Sequence, residues 1–403
     1  MTLELPTTRL PSLAEMRLGL NRHNWTNAFV STIFAVTGPI AIILTVAAAG
    51  DLSKQIVDGW IFAAFVVGGI LTILCSLFYR MPLALAWTMP GSALLITALD
   101  HLSFPEAVGA FLASGVVMVL LGVSGLVTRI MAAIPVGVAM GMVAGVFLPF
   151  GIDLITGFRD SPVLSIAMVA AFLAFTAIPA LGRVVPPLLA ALIAGTIAAI
   201  VLGDTPRFPG DTTLIAGPSI VVPVFSIPAL LELVVPLVIS VLAVQNLQGF
   251  TVLAEAGHKP PTGMLTVACG YGTLAMGILG SVPTCVTGPA NAFLTSSGKR
   301  EHQYMGGILF GLMFAGVGLL APALTQAATT MPRVFITALG GLAMLPVLIG
   351  AFRAAFSGPG AGGLGPLVSF VVTVSGISLF NVGSPFWGVV FGYLVHVGLD
   401  RRG

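Results

Sequence analysis

The chain is a succession of apolar runs, divided by short polar breaks. Most runs are near the ~20 residues that carry a helix across the hydrocarbon core of a bilayer. Water cannot satisfy a backbone at that depth, so a spanning segment must bond its own amides, and a helix does so. Runs fall at 26–48, 55–78, 83–98, 105–128, 132–155, 162–182 and 184–203. After a polar, proline-rich connection they continue at 227–253, 262–280, 284–296, 302–326, 332–352, 364–382 and 384–399. The expected fold is an all-α polytopic membrane protein with 14 transmembrane segments. Only 7% of the 403 residues are charged, against roughly 25% in soluble proteins. That is too little charge to cover a water-facing surface.

Lysine and arginine give an independent check, because they gather in alternate, cytoplasmic loops. Twelve of the 16, including Arg80, Arg129, Lys299 and Arg353, lie in one set of loops together with both termini. The other set holds only Lys54, Arg159, Arg207 and Arg333. One missed crossing would scramble this alternation. Both termini are therefore expected in the cytoplasm of a bacterial inner membrane, with 1–25 a cytoplasmic segment and 204–226 a periplasmic connection. No small-residue cleavage site follows the first apolar core, so no removable signal peptide is expected. A net charge of +2 gives no support for a nucleic-acid partner. Cys75, Cys269 and Cys285 lie in apolar runs without metal-ligand spacing and read as small buried hydrophobes. Nothing in the sequence asks for a cofactor or a metal, and there is no nucleotide-binding loop or nucleophile–base pattern. An enzyme and an ATP-driven pump are unsupported.

Two runs do not suit a continuous helix. Residues 83–98 contain Trp87-Thr88-Met89-Pro90-Gly91-Ser92, and 284–296 contain Thr287-Gly288-Pro289-Ala290-Asn291. Proline lacks the backbone donor and drives the residue before it out of helix, yet it suits a helix's first turn. Each run, third and tenth in order (TM3 and TM10), is expected to be a short strand followed by a half-helix. The two also match one another. T-x-P-x-x-A-x-L recurs from Thr88 to Thr287, an offset of 199; Pro135 and Pro149 recur as Pro332 and Pro346 at 197; Pro187 recurs as Pro385 at 198. Constant order at a near-constant offset indicates a duplication. Seven crossings per copy turn the second copy over, giving a 7+7 inverted repeat of 26–203 and 227–403, as in secondary transporters.

In such a repeat the broken helices meet near the midplane. Their first-turn N–H groups and positive dipole ends then suit an anion. Trp87, Thr88, Met89, Gly91 and Ser92 are expected to face Thr287, Gly288, Ala290 and Asn291 across a shared cavity. Gly91, Gly288 and Ala290 would admit a ligand to the backbone, while Ser92 and Asn291 would add directional hydrogen bonds. Gln245, Asn246 and Gln248 interrupt the apolar eighth run and either line this cavity or bond neighbouring helices. Their counterpart in the first run is Thr37-Gly38-Pro39, expected to unwind. No Asp, Glu, Lys or Arg lies in the broken runs, so nothing there repels an anion. Phe34, Trp87 and Phe293 are available to a ring. Gly137, Gly141 and Gly145 read as close helix packing.

These motifs together resemble the benzoate:proton symporter (BenE) family over nearly the whole chain. They are the Thr37-Gly38-Pro39 run, Trp87-Thr88-Met89-Pro90-Gly91-Ser92-Ala93-Leu94, the Gln245-Asn246 helix and Thr287-Gly288-Pro289-Ala290-Asn291-Ala292. The resemblance implies a fold similar to uracil permeases and sulfate-type anion transporters. There a core domain (TM1–4 and TM8–11) moves against a gate domain (TM5–7 and TM12–14). It also implies import of a small aromatic carboxylate together with protons, with a second copy of the chain as an optional partner. Nucleobase permeases place glutamates on the eighth and tenth segments, where this chain has Gln245, Asn246 and Asn291. That departure favours an anion and leaves the proton carrier unassigned. Two alternatives stay open: a same-fold carrier of a nucleobase or inorganic anion, and a non-coupled, channel-like membrane protein.

Overall fold

The computed structural model describes residues 4, 6, 9–37, 39–127, 129, 135–182, 185–203, 215–296, 298–329, 331–357, 363–377, 379 and 384–400. Gly38, the side chain of Thr37 and residues 204–214 of the expected connection lie outside that set. The first half comprises α1 (Leu13–Gly19), α2 (Arg22–Thr37), α3 (Pro39–Ala49), α4 (Lys54–Tyr79), β1 (Leu85–Trp87) and α5 (Met89–Ala98). It continues with α6 (Phe104–Ser124), α7 (Val136–Asp160), α8 (Pro162–Ala177) and α9 (Pro187–Val201). The second half comprises α10 (Ile227–Glu255), α11 (Thr262–Ile278), β2 (Thr284–Val286), α12 (Gly288–Thr295) and α13 (Tyr304–Leu319). It ends with α14 (Ala321–Thr329), α15 (Arg333–Phe356), α16 (Leu364–Val374) and α17 (Ser384–Val395).

Six helical stretches among the described residues are long and apolar enough to cross a membrane. Large side chains on these and the shorter helices, such as Leu120, Ile155, Ile197 and Leu394, are more than half exposed. So much exposed apolar surface suits contact with lipid. Several expected runs are shorter or divided, 162–182 among them, where helix stops at Ala177 and resumes at Pro179. The run at 302–326 splits because Leu320 leaves helical geometry (φ −92°, ψ 13°) and Pro322 sits in the first turn of α14. The last turn of α16 ends at Val374, and Gly376 follows with φ +66°, a conformation that glycine adopts without strain.

Residues 83–98 and 284–296 each hold a short strand and then a short helix. The strands pair antiparallel, Leu85 with Val286, Ala86 with Cys285 and Trp87 with Thr284. Cys285 lies 199 residues after Ala86, the same offset that relates the two motifs, so the pairing is symmetric about that residue pair. The flanking bonds repeat the symmetry: Thr88 N–H donates to the Pro283 carbonyl (2.9 Å) and Thr287 N–H to the Ala84 carbonyl (3.1 Å). Helix contacts between the halves are reciprocal in the same way. α4 packs on α13 as α6 packs on α11, α7 packs on α15, and α7–α16 answers α8–α15.

A two-stranded sheet buried among helices leaves edge groups that cannot reach water, and each must find a protein partner. Helix side chains provide them. Thr72 Oγ1 accepts from Leu85 N–H (2.8 Å) and donates to the Leu85 carbonyl (3.1 Å), and Ser76 does the same for Leu83 (3.1 and 3.2 Å). Thr273 Oγ1 accepts from Thr284 N–H (2.9 Å). Asn246 Oδ1 accepts from Val286 N–H (2.7 Å), and Asn291 Oδ1 from Ala84 N–H (2.9 Å). Pro283, the counterpart of Ala84, has no N–H to satisfy. At Gly249 a Cβ would sit 2.6 Å from the Val286 carbonyl, so glycine is what lets α10 lie against β2. Two π turns, Leu230–Val234 and Ser240–Asn246, widen α10 here. The Gly137–Gly141–Gly145 face packs on α16 at Pro366 and Thr373.

One apolar cluster joins α2 to α6 with parts of α10, α12 and α13, and reaches α7. A second is built from Leu154 of α7, Leu164 and Met168 of α8, Ala191 and Ala198 of α9, and Phe335 and Leu339 of α15. Thr72→Val keeps shape but leaves both backbone groups of Leu85 without their side-chain partner, at about 1–3 kcal/mol each. Thermal unfolding in detergent is expected to fall by several degrees. Thr176→Val, at an exposed helix position bonded only to Phe172 of its own helix, is expected to change little.

Candidate functional site

Each half-helix opens from an extended threonine, Thr88 (φ −76°, ψ 114°) and Thr287 (φ −83°, ψ 125°), with proline in the first turn. A helix leaves its first N–H groups without intrahelical acceptors. In α5 the Thr88 hydroxyl takes up one of them, accepting from Gly91 N–H (3.2 Å), and also meets Ser240 Oγ of α10 at 3.2 Å. Thr287 makes no such cap on α12. The N–H groups of Gly288 and Ala290 belong to that uncapped turn.

Against these two turns lies a small cavity lined by Phe34, Ala35, Pro39, Ala86, Trp87, Met89, Thr287, Ala290, Phe310 and Phe314. It therefore touches the first turn of both half-helices and Pro39 at the start of α3, and no charged side chain borders it. Its walls are aromatic. Trp87 lies 5.9 Å from Phe314, centroid to centroid, and 4.7 Å from Phe65, while Phe310 lies 4.8 Å from Phe314 and Phe34 5.6 Å from Phe293. The free interior is about 20 Å³. That holds about one water, whereas a cavity that takes up benzene is roughly 150 Å³. This conformation is closed around the site, and a ring enters only if the walls separate.

Two buried donors near these elements stand out. Trp87 Nε1 and Gln245 Nε2 have no hydrogen-bond partner among the described residues, although both side chains are almost fully buried. An unmet buried donor costs stability, so each is a candidate to be completed by a ligand. Trp87 lines the cavity directly. Gln245 shares a helical face with Gly249, which rests on β2, and with Gln248, which is exposed and covers Gly288.

The remaining sequence candidates are placed as follows. Met89, Thr287 and Ala290 line the cavity. Asn291 and Asn246 are fully buried, and their carbonyl oxygens hold strand edges; Asn291 Nδ2 also donates to the Thr287 carbonyl (2.8 Å). Ser92 Oγ turns back to the Thr88 carbonyl of its own helix (3.1 Å). The space a side chain would fill at Gly91 holds the Thr88 methyl and Leu237, and that at Gly288 holds Gln248. In this conformation, then, protein groups occupy the polar atoms of Ser92 and the carbonyl oxygens of both asparagines. Sequence reasoning missed Phe310 and Phe314, spaced i, i+4 on α13, the backbone-holding Thr72, Ser76 and Thr273, and Ser240 against the Thr88 hydroxyl. The one available signal was a hydroxyl in an apolar run at nearly matching places, Thr72 and Thr273, 201 residues apart. No group of three metal-ligating side chains occurs among the described residues.

The family described as "Benzoate membrane transport protein" (BenE) matches residues 22–397. Among curated relatives, "Inner membrane protein YdcO" of Escherichia coli K12 is 29% identical over 379 residues, covering 92% of this chain and 94% of that protein. The "Benzoate membrane transport protein" of Acinetobacter baylyi is 28% identical over 376 residues, covering 91% and 93%. The fold is similar to the transmembrane domain of the cyanobacterial bicarbonate transporter BicA (TM-score 0.57, 16% identity, 94% of this chain and 99% of that one). It is also similar to the murine anion transporter Slc26a9 in its inward-facing state (TM-score 0.61, 12% identity, 96% and 70%).

The geometry separates two kinds of substitution. Gln245→Ala is expected to weaken benzoate binding roughly 10- to 150-fold, the value of a hydrogen bond to a charged group, without lowering the unfolding temperature. Asn291→Ala is expected to lower the unfolding temperature as well, because Ala84 N–H loses its acceptor. Trp87→Phe keeps the ring and removes the unmet donor, so it is expected to weaken binding while leaving stability equal or higher. Calorimetric unfolding paired with benzoate titration reads all three.

Proposed function

The chain belongs to the benzoate membrane transport (BenE) family, and from that premise we propose that it is a secondary active transporter. It imports a benzoate-like aromatic carboxylate with protons, by alternating access, across a bacterial inner membrane. Membership makes it a membrane transport protein and not an enzyme. The observation that carries the finer reading is the uncharged, aromatic-walled cavity against the first turns of two opposed half-helices. Aromatic faces suit a ring. Free N–H groups and two positive helix ends suit the carboxylate.

The symmetry of the strand pair about Ala86 and Cys285, with the reciprocal helix contacts, supports a 7+7 inverted repeat. In it β1–α5 and β2–α12 are TM3 and TM10 of 14 segments. The separate cluster built on α8, α9 and α15 supports a gate domain distinct from the core. A closed cavity of about 20 Å³, walled by TM1, TM3, TM10 and TM11, supports a cycle in which segments of the core shift to admit the ring. The description of YdcO as an inner membrane protein supports the location, and that of the Acinetobacter protein supports the substrate class. The loop charges support cytoplasmic termini.

The similar folds of a bicarbonate transporter and an anion transporter keep an inorganic anion as the second reading. It leaves Trp87, Phe310 and Phe314 facing nothing they complement, so the aromatic anion is favoured. Competition against labelled benzoate tests the choice. Benzoate is expected to compete better than benzamide by on the order of 10- to 100-fold, since two helix ends act on the charge that the amide lacks. Bicarbonate is expected to compete poorly. Equal competition by benzamide overturns the anion site, and strong competition by bicarbonate favours the second reading.

A further inference from the structure

Glu232 is the one acidic side chain that is buried among the described residues, 3% exposed. It sits in the π turn Leu230–Val234 of α10. Its Oε2 lies 2.8 Å from Nε2 of His101, a side chain that is 31% exposed. Burying a carboxylate costs several kcal/mol unless it is paired or protonated. Ionisable groups kept at such depth in membrane proteins mark ion and proton paths, and histidine changes charge near neutral pH. The substrate cavity uses neither residue.

Where the pair sits matters more than its burial. His101 lies in the turn that closes α5, and its N–H reaches back to the Ala98 carbonyl (3.3 Å). The other end of α5, at Met89, lines the cavity. Ten residues separate those ends, about 15 Å at helical rise. One half-helix thus holds the cavity at its N-terminus and the His101–Glu232 pair at its C-terminus. The π turn also touches α6 and α17, and α17 belongs to the gate in the reading above. The titratable groups around the pair are Asp100 beside His101 and Glu106 in the first turn of α6. Glu106 is bonded to Ser103 N–H (2.9 Å) and Oγ (2.7 Å).

We propose that Glu232 and His101 form the proton site of the transport cycle. This rests on the transporter reading and names its coupling residues. A proton from the outer aqueous phase binds His101 Nδ1, and the imidazolium passes its Nε2 proton to Glu232 Oε2, leaving a neutral imidazole protonated at Nδ1 and a neutral carboxyl. The neutralised pair lets α10 and α5 shift against α17 without dragging a bare buried charge. α5 carries the same shift to the anion site at its other end.

Proteoliposomes holding the full chain test this, with rates taken above those of protein-free vesicles because neutral benzoic acid crosses lipid unaided. Counterflow of labelled benzoate without a gradient reads the transporter itself. The stimulation of uptake by an inward proton gradient reads the coupling. Glu232→Gln is expected to keep counterflow and to lose stimulation, its ratio of rates with and without the gradient falling to about 1. His101→Asn is expected to keep counterflow and respond weakly. Wild-type stimulation in both variants overturns the proton site while leaving the transporter reading intact. Absent counterflow in the wild type overturns benzoate transport instead. A readout free of substrate then decides the site: acid-minus-neutral infrared difference spectra should contain a protonated carboxyl band that Glu232→Gln lacks. Identical spectra overturn it.

Discussion

Five buried N–H groups, those of Leu83, Ala84, Leu85, Thr284 and Val286, have to be met by side chains, and the centre of the molecule is arranged around meeting them. Strand backbone inside a helical membrane protein is tolerable only when its edges are bonded. Thr72, Ser76, Thr273, Asn246 and Asn291 each supply an oxygen, from four different helices. Those bonds fix where α4, α10, α11 and α12 stand relative to the strands. With the strands fixed, the two prolines start α5 and α12 on opposite sides of one small volume. The positive ends of two half-helices converge because the strand edges leave them no other place.

The same bonds explain why so little polar chemistry is left to face the cavity. Each asparagine gives its carbonyl oxygen to a strand, Ser92 is returned to its own helix, and Thr88 caps α5. Trp87 Nε1 and the uncapped first turn of α12 are what remain there, with Gln245 Nε2 unmet on neighbouring α10. A site poor in polar side chains and rich in aromatic faces selects for a ring with one compact charge. At about 20 Å³ it is also too small for a ring in this conformation, so on the proposed reading binding requires its walls to move.

Much of this was legible in the chain. Proline after an extended threonine foretold the breaks at Pro90 and Pro289, since proline's missing donor and fixed φ act locally. The likeness of the two strand–helix segments was legible because both keep the same T-x-P-x-x-A-x-L spacing. The role of Asn246 and Asn291 was not, since sequence marks a buried amide as needing a partner without saying whether that partner is a ligand or a strand. Phe310 and Phe314 were hidden among many apolar residues, because only the fold turns that face of α13 toward Trp87. Glu232 was visible as an acid near the end of its run, but its pairing with His101, 131 residues away in sequence, exists only in three dimensions.

The central claim is that an aromatic ring lies between the walls of Trp87 and Phe314 with its carboxylate at the first turn of α12. A structure of the protein bound to para-iodobenzoate, with the iodine located by anomalous scattering, measures this directly. The account predicts iodine among Phe34, Phe310 and Phe314, with the carboxylate within hydrogen-bond reach of the Gly288 and Ala290 N–H groups. Iodine at the half-helix ends with the carboxylate directed outward, or a ligand seated away from β1 and β2, would contradict it.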